Sequence, residues 1–161
     1  MIEIRPASSK DDLRVTRQLF LEYAGSLDFQ LCFQSFEQEL ARLPGKYAPP
    51  QGRLLLACPR PPGKIAAAGC VAVRPLDDGI CEMKRLYVQA EFRRQGIGRA
   101  LSLAAIEEAR SAGYRSMRLD TVASMQAAIA LYESLGFARI AAYYPNPLPD
   151  VVYMELNLAG G

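Results

Sequence analysis

The sequence predicts an α/β domain. Its twisted sheet is mixed and mostly antiparallel, with a parallel pair at one point and helices on the flanks. Three observations carry this reading. Three strand-like runs, Arg53–Cys58, Ile65–Arg74 and Ile80–Val88, are joined by the short turns Pro59–Lys64 and Pro75–Gly79, and turns that short imply an antiparallel meander. An amphipathic helix, Arg99–Ala112, then separates the third run from a fourth, Tyr114–Asp120, and a connection of that length requires a parallel pair with a right-handed crossover. The 161 residues, half of them hydrophobic and 22% charged, suffice for one core, so residues 1–161 are expected to form a single domain.

The elements read in order as follows. Ile2–Arg5 alternates apolar and polar residues and is a short strand. Ser8 or Ser9 caps a helix from near Lys10, with Leu13, Leu19, Phe20 and Tyr23 as its apolar stripe and Gly25 at its end. Residues 26–34 are aromatic and lie between two helical patterns. A second helix, Ser35–Leu43, carries Phe36, Leu40 and Leu43 on one side and stops at Pro44-Gly45, before the loop Tyr47–Gly52. The Arg99–Ala112 helix turns Leu101, Ala104, Ala105, Ile106 and Ala109 inward. After the loop Thr121–Ser124, with Ser124 as N-cap, comes a helix Met125–Leu135 closed by Gly136. A strand Phe137–Tyr143, a proline-stiffened loop Tyr144–Asp150 and a strand Val151–Leu156 complete the chain.

Composition removes several functions. A net charge of +2 is too small for a nucleic-acid binder. No histidine is present, which excludes Ser-His-Asp triads, Cys-His dyads and histidine metal sites; no metal is expected. The cysteines Cys32, Cys58, Cys70 and Cys81 lack CxxC spacing. The last three fall in apolar runs, as buried free thiols do in a reducing cytoplasm. Charges at Glu3, Arg5, Lys10, Asp11 and Asp12 argue against a signal peptide. No apolar run approaches the roughly 18 residues of a bilayer span, so no membrane partner is expected. A homodimer stays open.

One stretch, Glu82–Leu101, organises the rest. It reads as a strand that breaks into a basic, glycine-containing loop and then opens a helix. A helix N-terminus carries unpaired N–H groups and partial positive charge, which suit a phosphate. Glycines let the backbone approach the anion, and Arg93, Arg94 and Arg99 add charge. A P-loop needs GxxxxGK[ST], which is absent. A Rossmann fingerprint lacks its third glycine, since Leu101 stands there, and three antiparallel strands precede it. Arg93-Arg94-Gln95-Gly96-Ile97-Gly98 instead has the form [QR]-x-x-G-x-[GA].

With that loop between a strand and a helix, the chain resembles the GNAT family, the GCN5-related N-acetyltransferases. Ser124–Phe137 also resembles the family's later motif, A-x-x-L-Y-x-x-x-G-F, and the order of elements agrees from Ile2 to Leu156. The resemblance implies an acetyl-CoA-dependent enzyme acting on a primary amine of a small molecule or peptide. It implies that the backbone of Leu86, Tyr87 and Val88 flanks the pantetheine arm, beside a bulge that opens a slot. It further implies that Arg93, Arg94, Gln95, Gly96, Ile97, Gly98, Arg99 and Ala100 wrap the pyrophosphate. A catalytically silent acetyl-CoA sensor and a pure partner-binding domain are the alternatives.

The chemistry needs deprotonation of the amine, a donor for the oxyanion and a leaving thiolate. A backbone N–H of Leu86–Val88 can supply the oxyanion contact. Tyr132 shares a helix face with Met125 and Ala128 and is the candidate on the leaving-group side. A phenol's pKa of about 10 against about 8.5 for a thiol makes full proton transfer uphill, so it can act by hydrogen bonding. Glu82 and Asp120 are rival bases, and a water is a third option. Strand alternation places Glu82, Lys84, Leu86 and Val88 on one side. Many family members have Asn where Met125 stands; methionine cannot make those bonds, so Ser124 or Gln126 would have to compensate at the cofactor. The acceptor pocket implied by the family falls on Leu27–Phe36 and Tyr143–Asp150. There Phe29, Phe33, Tyr143 and Tyr144 are candidate walls and Asn146 a candidate polar contact. Glu22, Asp28, Glu37 and Glu39 would favour a cationic amine or form a solvated face.

Overall fold

The computed structural model describes residues 1–27 and 35–159. The predicted meander is present. β1 (Ile2–Pro6), β2 (Arg53–Pro59), β3 (Gly69–Asp77) and β4 (Ile80–Val88) pair in sequence, each antiparallel to the last. β5 (Ser116–Val122) joins β4 in parallel, and β7 (Val151–Asn157) separates β5 from the short edge strand β6 (Ala138–Ile140), giving the order β1-β2-β3-β4-β5-β7-β6. The helices are α1 (Lys10–Ser26), α2 (Phe36–Ala41), α3 (Ile97–Ser111) and α4 (Gln126–Ser134), with 3₁₀ turns at Gly45–Tyr47 and Ala90–Phe92.

The sheet is covered on both faces. Ile97, Leu101, Ala105, Ile106 and Ala109 of α3 and Ile129 and Tyr132 of α4 pack with Leu55, Val71, Met83 and Met117 on one face. On the other, Leu19 and Phe20 of α1 and Phe36 of α2 pack with Leu54, Leu56, Cys70 and Tyr47. Two helical stripes meeting two alternating strand faces is the arrangement that buries all of them. α1 begins with a reciprocal capping box between Ser9 and Asp12, and Asp12 also takes two hydrogen bonds from Arg5, at 2.8 and 2.9 Å. Cys58, Cys70 and Cys81 are buried free thiols, and burial pushes Cys81 up to about 12. Cys32 lies outside the described residues.

Several boundaries differ from expectation. β3 begins at Gly69, because pairing runs out where Gly69 meets Ala57 on one side and Val88 on the other. Met125, not Ser124, occupies the N-cap of α4, with no side-chain capping bond. Its amide closes a turn onto Val122 O at 2.9 Å, which moves the boundary on by one residue. Tyr143 is not in a strand, since β6 ends at Ile140.

The largest difference lies in β4. The register shifts between Cys70 and Ala72, which face Tyr87 and Lys84, and Arg85 takes a positive φ of 62°. This extra residue is a β-bulge. Beyond it Leu86 and Val88 pack with the α3-side core that holds Cys81 and Met83, while Tyr87 packs on the other side. The expected shared side for Glu82, Lys84, Leu86 and Val88 is therefore overturned: the bulge resets the alternation. Backbone lies against backbone here, for a Cβ at Gly69 would sit 2.5 Å from Tyr87 O.

Candidate active site

β4 and β5 pair only at Ile80–Ser116, Cys81–Met117 and Glu82–Arg118. Past that point they part and open a slot. Its inner part, of about 90 Å³, is lined by Lys84, Leu86, Asp120, Met125 and Tyr132 among others. An outer cleft of about 840 Å³ is lined by Tyr87, Val88, Arg93, Arg94, Gly96 and Gly98. Tyr23, Leu86, Met125 and Ala128 line both, so the two parts adjoin.

At the outer end, Arg94 (φ 65°) and Gly96 (φ 77°) turn the loop into α3. Gly96 is the N-cap, and among the described residues no side chain caps the helix. The first-turn N–H groups of this 15-residue helix thus have no side-chain acceptor among the described residues. A Cβ at Gly96 would meet nothing within 4 Å, so the loop stays open above the cleft. Arg93 donates to Val88 O at 3.0 Å and lies over the Tyr87 ring. Ile97 lines the cleft and anchors the core, and Ser124 and Gln126 line it from the start of α4. Gln95, Arg99 and Ala100 do not line it; Arg99 turns to α4 and donates to Ser134 Oγ at 3.0 Å.

At the inner end, two carboxylates and one lysine are drawn together. Lys84 Nζ lies 3.9 Å from Glu82 Oε1 and 3.7 Å from Asp120 Oδ1. Tyr143 donates to Glu82 Oε2 and Tyr144 to Asp120 Oδ2, each at 2.6 Å. Asn146 donates to Tyr144 Oη at 2.9 Å and accepts from the Leu148 amide, bracing the loop, and it also lines the slot. Residues considered separately as bases and as acceptor walls thus form one network. Phe29, Phe33 and Asp28 lie outside the described residues.

The two acids differ. Glu82 is 1% exposed and does not line the slot. Burial disfavours its charge, but Lys84, Arg74 and the Tyr143 hydroxyl outweigh this and hold it below the usual carboxylate range. Arg74 contributes two contacts, at 2.9 and 2.8 Å. Asp120 lines the slot wall. Burial lowers Lys84 despite its two acidic neighbours. Burial also raises Tyr132, which packs edge-on to Phe137 and forms no side-chain hydrogen bond among the described residues. Of the other acids, Glu22 accepts from Gln89 and Tyr87, Glu39 is paired with Arg85, and Glu37 is exposed.

Lys84 and Arg74 were missed as site residues. The signal for Lys84 was its place two residues after Glu82, on the same side before the bulge. Arg74 gave no local signal, since its register opposite Glu82 depends on the β3–β4 turn.

A model of the acetyltransferase (GNAT) family matches residues 18–137. The chain belongs to the GNAT family. An uncharacterised N-acetyltransferase of Schizosaccharomyces pombe is 40% identical over 159 residues, covering 98% of this chain and 96% of that protein. A GNAT-family acetyltransferase of Staphylococcus aureus superposes with a TM-score of 0.78 at 19% identity, over 98% of this chain and 99% of that one. A Bacillus subtilis acetyltransferase solved in complex with CoA gives 0.69 at 20% identity, over 98% and 99%. These two structures speak to the GNAT fold. As a GNAT acetyltransferase the protein is an acyltransferase that uses acetyl-CoA. Its own residues fit that cofactor: the cleft joins an uncapped helix N-terminus and two arginines to a narrow slot between parted strands. Among the described residues no helix is long and apolar enough to cross a membrane, and no group of His, Cys, Asp or Glu could hold a metal ion.

Proposed function

We propose that this protein transfers an acetyl group from acetyl-CoA to a primary amine of a small molecule or peptide by direct attack. One observation carries the reading. An outer cleft with an uncapped helix start and an inner slot beside the Glu82–Lys84–Asp120 cluster adjoin across Tyr23, Leu86, Met125 and Ala128.

The cofactor supplies the acetyl thioester. The outer cleft orients it: Arg93, Arg94 and the amides around Gly96–Gly98 hold the pyrophosphate, and Ser124 and Gln126 flank it from α4. Gln95, Arg99 and Ala100 support this turn from behind the lining. Leu86, Tyr87 and Val88 guide the acyl arm along the strand edge that β5 leaves free past the split, and one of their N–H groups polarises the thioester carbonyl. Asp120, the carboxylate on the slot wall, takes a proton from the acceptor's ammonium group, which frees the nitrogen lone pair to attack the thioester carbonyl as the thiolate leaves. Glu82 serves as the counter-charge that keeps Lys84 in place. Lys84, so close to Asp120, disfavours the protonated acceptor and so raises the fraction of free amine. Tyr132 remains a protonated phenol and stabilises the departing thiolate by hydrogen bonding. Tyr143, Tyr144 and Asn146 shape the acceptor side.

Calorimetric titration with acetyl-CoA tests the cofactor half. Saturable binding that weakens about tenfold in Arg94→Ala, the loss of one charged hydrogen bond, is expected. Equal affinity in the two proteins would reject the pyrophosphate assignment.

A further inference from the structure

The outer cleft and the inner slot share four lining residues, Tyr23, Leu86, Met125 and Ala128, which form a waist between them. An acyl arm laid along the cleft with its tip in the slot brings its thioester to this waist. Leucine, methionine and alanine side chains donate no hydrogen bond, so of the four only the Tyr23 side chain can.

The fold aims Tyr23 at the waist. It follows Leu19 by four residues and Phe20 by three, and so lies beside the buried stripe of α1. Past the bulge at Arg85 the alternation of β4 reverses, which turns Tyr87 to the α1 side. There the Tyr87 ring packs edge-on against Tyr23, with centroids 6.2 Å apart, and this contact holds the phenol. Tyr23 forms no side-chain hydrogen bond among the described residues, and its hydroxyl is not one of the sealed, unpartnered oxygens. It therefore stays open to the space that it lines. Burial raises the Tyr23 phenol above its ordinary value, with Arg85 opposing and Asp120 adding to the shift, so the proton is kept. Tyr23 and Asp120 in turn add to the burial that raises Tyr132. Two phenols and a carboxylate thus face one space, Tyr23 from α1 and Tyr132 from α4.

The geometry points to Tyr23 as a second oxyanion donor, its hydroxyl hydrogen-bonding the thioester carbonyl oxygen together with an N–H of Leu86–Val88. The catalytic part of this rests on the acetyltransfer reading above; the contact with the thioester does not. As the amine lone pair forms the C–N bond, one carbonyl electron pair moves onto oxygen. When that pair re-forms the double bond, the C–S pair leaves on sulfur, which takes the surplus proton of the nitrogen. Tyr23 keeps its own proton throughout. Its hydrogen bond is strongest while the oxygen is charged, so it favours the transition state over the bound thioester.

Tyr23→Phe tests this, since it keeps the ring against Tyr87 and removes the hydroxyl alone. Difference infrared spectroscopy on the complex with acetyl-CoA, isotope-labelled at the thioester carbonyl, reads the C=O stretch. The stretch is expected at higher frequency in Tyr23→Phe than in the wild type, because a lost donor strengthens the double bond. An unmoved band overturns the assignment. The kcat for the amine is expected to fall about a hundredfold, as for one lost oxyanion donor, with amine KM and CoA affinity unchanged. A raised amine KM at constant kcat makes Tyr23 an acceptor contact and overturns the assignment. The urea midpoint is expected to hold, because the hydroxyl has no hydrogen bond among the described residues; a lower midpoint or a failure to fold marks a structural hydroxyl and also overturns it. If the wild type turns over no amine, the acetyltransfer reading falls and the carbonyl band alone decides the role of Tyr23.

Discussion

Tyr144 donates its hydroxyl hydrogen to Asp120 Oδ2 at 2.6 Å, across 24 residues of sequence. The bond ties the loop ahead of β7 to the strand end that faces the slot. Asp120 is thereby held in one orientation, with its second oxygen toward Lys84.

Loss of this tie should be felt at the acceptor and not at the cofactor. Tyr144→Phe is expected to raise the amine KM about fivefold, in line with one lost hydrogen bond, and to leave acetyl-CoA affinity unchanged. Steady-state kinetics with each substrate varied in turn check this. An equal rise in both constants would place Tyr144 elsewhere.

The two acids should separate under mutation. Asp120→Asn removes the charge that receives the amine, so kcat/KM for the amine is expected to fall about a hundredfold, typical of a lost proton-handling group. Glu82→Gln leaves Arg74 and Lys84 without their shared counter-charge in a buried place, so stability is expected to fall by about 3 kcal/mol. Denaturant unfolding and amine kinetics on both variants decide the matter. Retained stability in Glu82→Gln with complete loss of turnover would return the base role to Glu82.

Tyr132→Phe removes only the hydroxyl facing the slot. A fall in kcat of about tenfold to a hundredfold is expected, with a smaller change in acetyl-CoA affinity, because the bond forms as charge develops on sulfur. Unchanged kcat would leave Tyr132 as a packing residue against Phe137.

The Arg5–Asp12 pair fixes the start of α1 and carries a pH signature. Hydrogen bonds from Arg5, opposed by burial and aided by the Ser8 and Ser9 amides, hold the Asp12 carboxyl well below the usual range. A depressed folded pKa gives stability that is present above the unfolded value of about 3.9 and lost as pH falls toward the folded one. Asp12→Asn is expected to cost about 2 kcal/mol at neutral pH, a lost cap plus a charged pair. The gap to wild type should narrow as pH drops below about 4. Urea unfolding across pH reads this directly, and a gap that widens on acidification would contradict it.

What the sequence made legible was local. Ser9 capping α1, the meander turns and the loop Arg93–Gly98 each follow from short-range chemistry, and each stands close to its expected place. The resemblance implied a bulge beside Leu86–Val88, but its place at Arg85 and its reversal of the side-chain alternation were not legible. A non-glycine residue with positive φ is held there by distant contacts, the paired Glu39 and the Phe36 ring beneath its guanidinium. The same reason hid the union of Tyr143 with Glu82, 61 residues apart, and the strand end lost when Tyr143 and Tyr144 turned their hydroxyls to the acids. Lys84 was visible as a neighbour of Glu82, but its second partner, Asp120, depends on the parallel pairing of β4 with β5.

The central claim is acetyl transfer through this slot. Its most direct test is incubation of the protein with acetyl-CoA and a panel of primary amines, reading free CoA and N-acetylated product together. The account predicts at least one amine for which CoA and product appear in equal amounts, with that turnover lost in Asp120→Asn. Tight, saturable acetyl-CoA binding without N-acetylated product from any amine would contradict it.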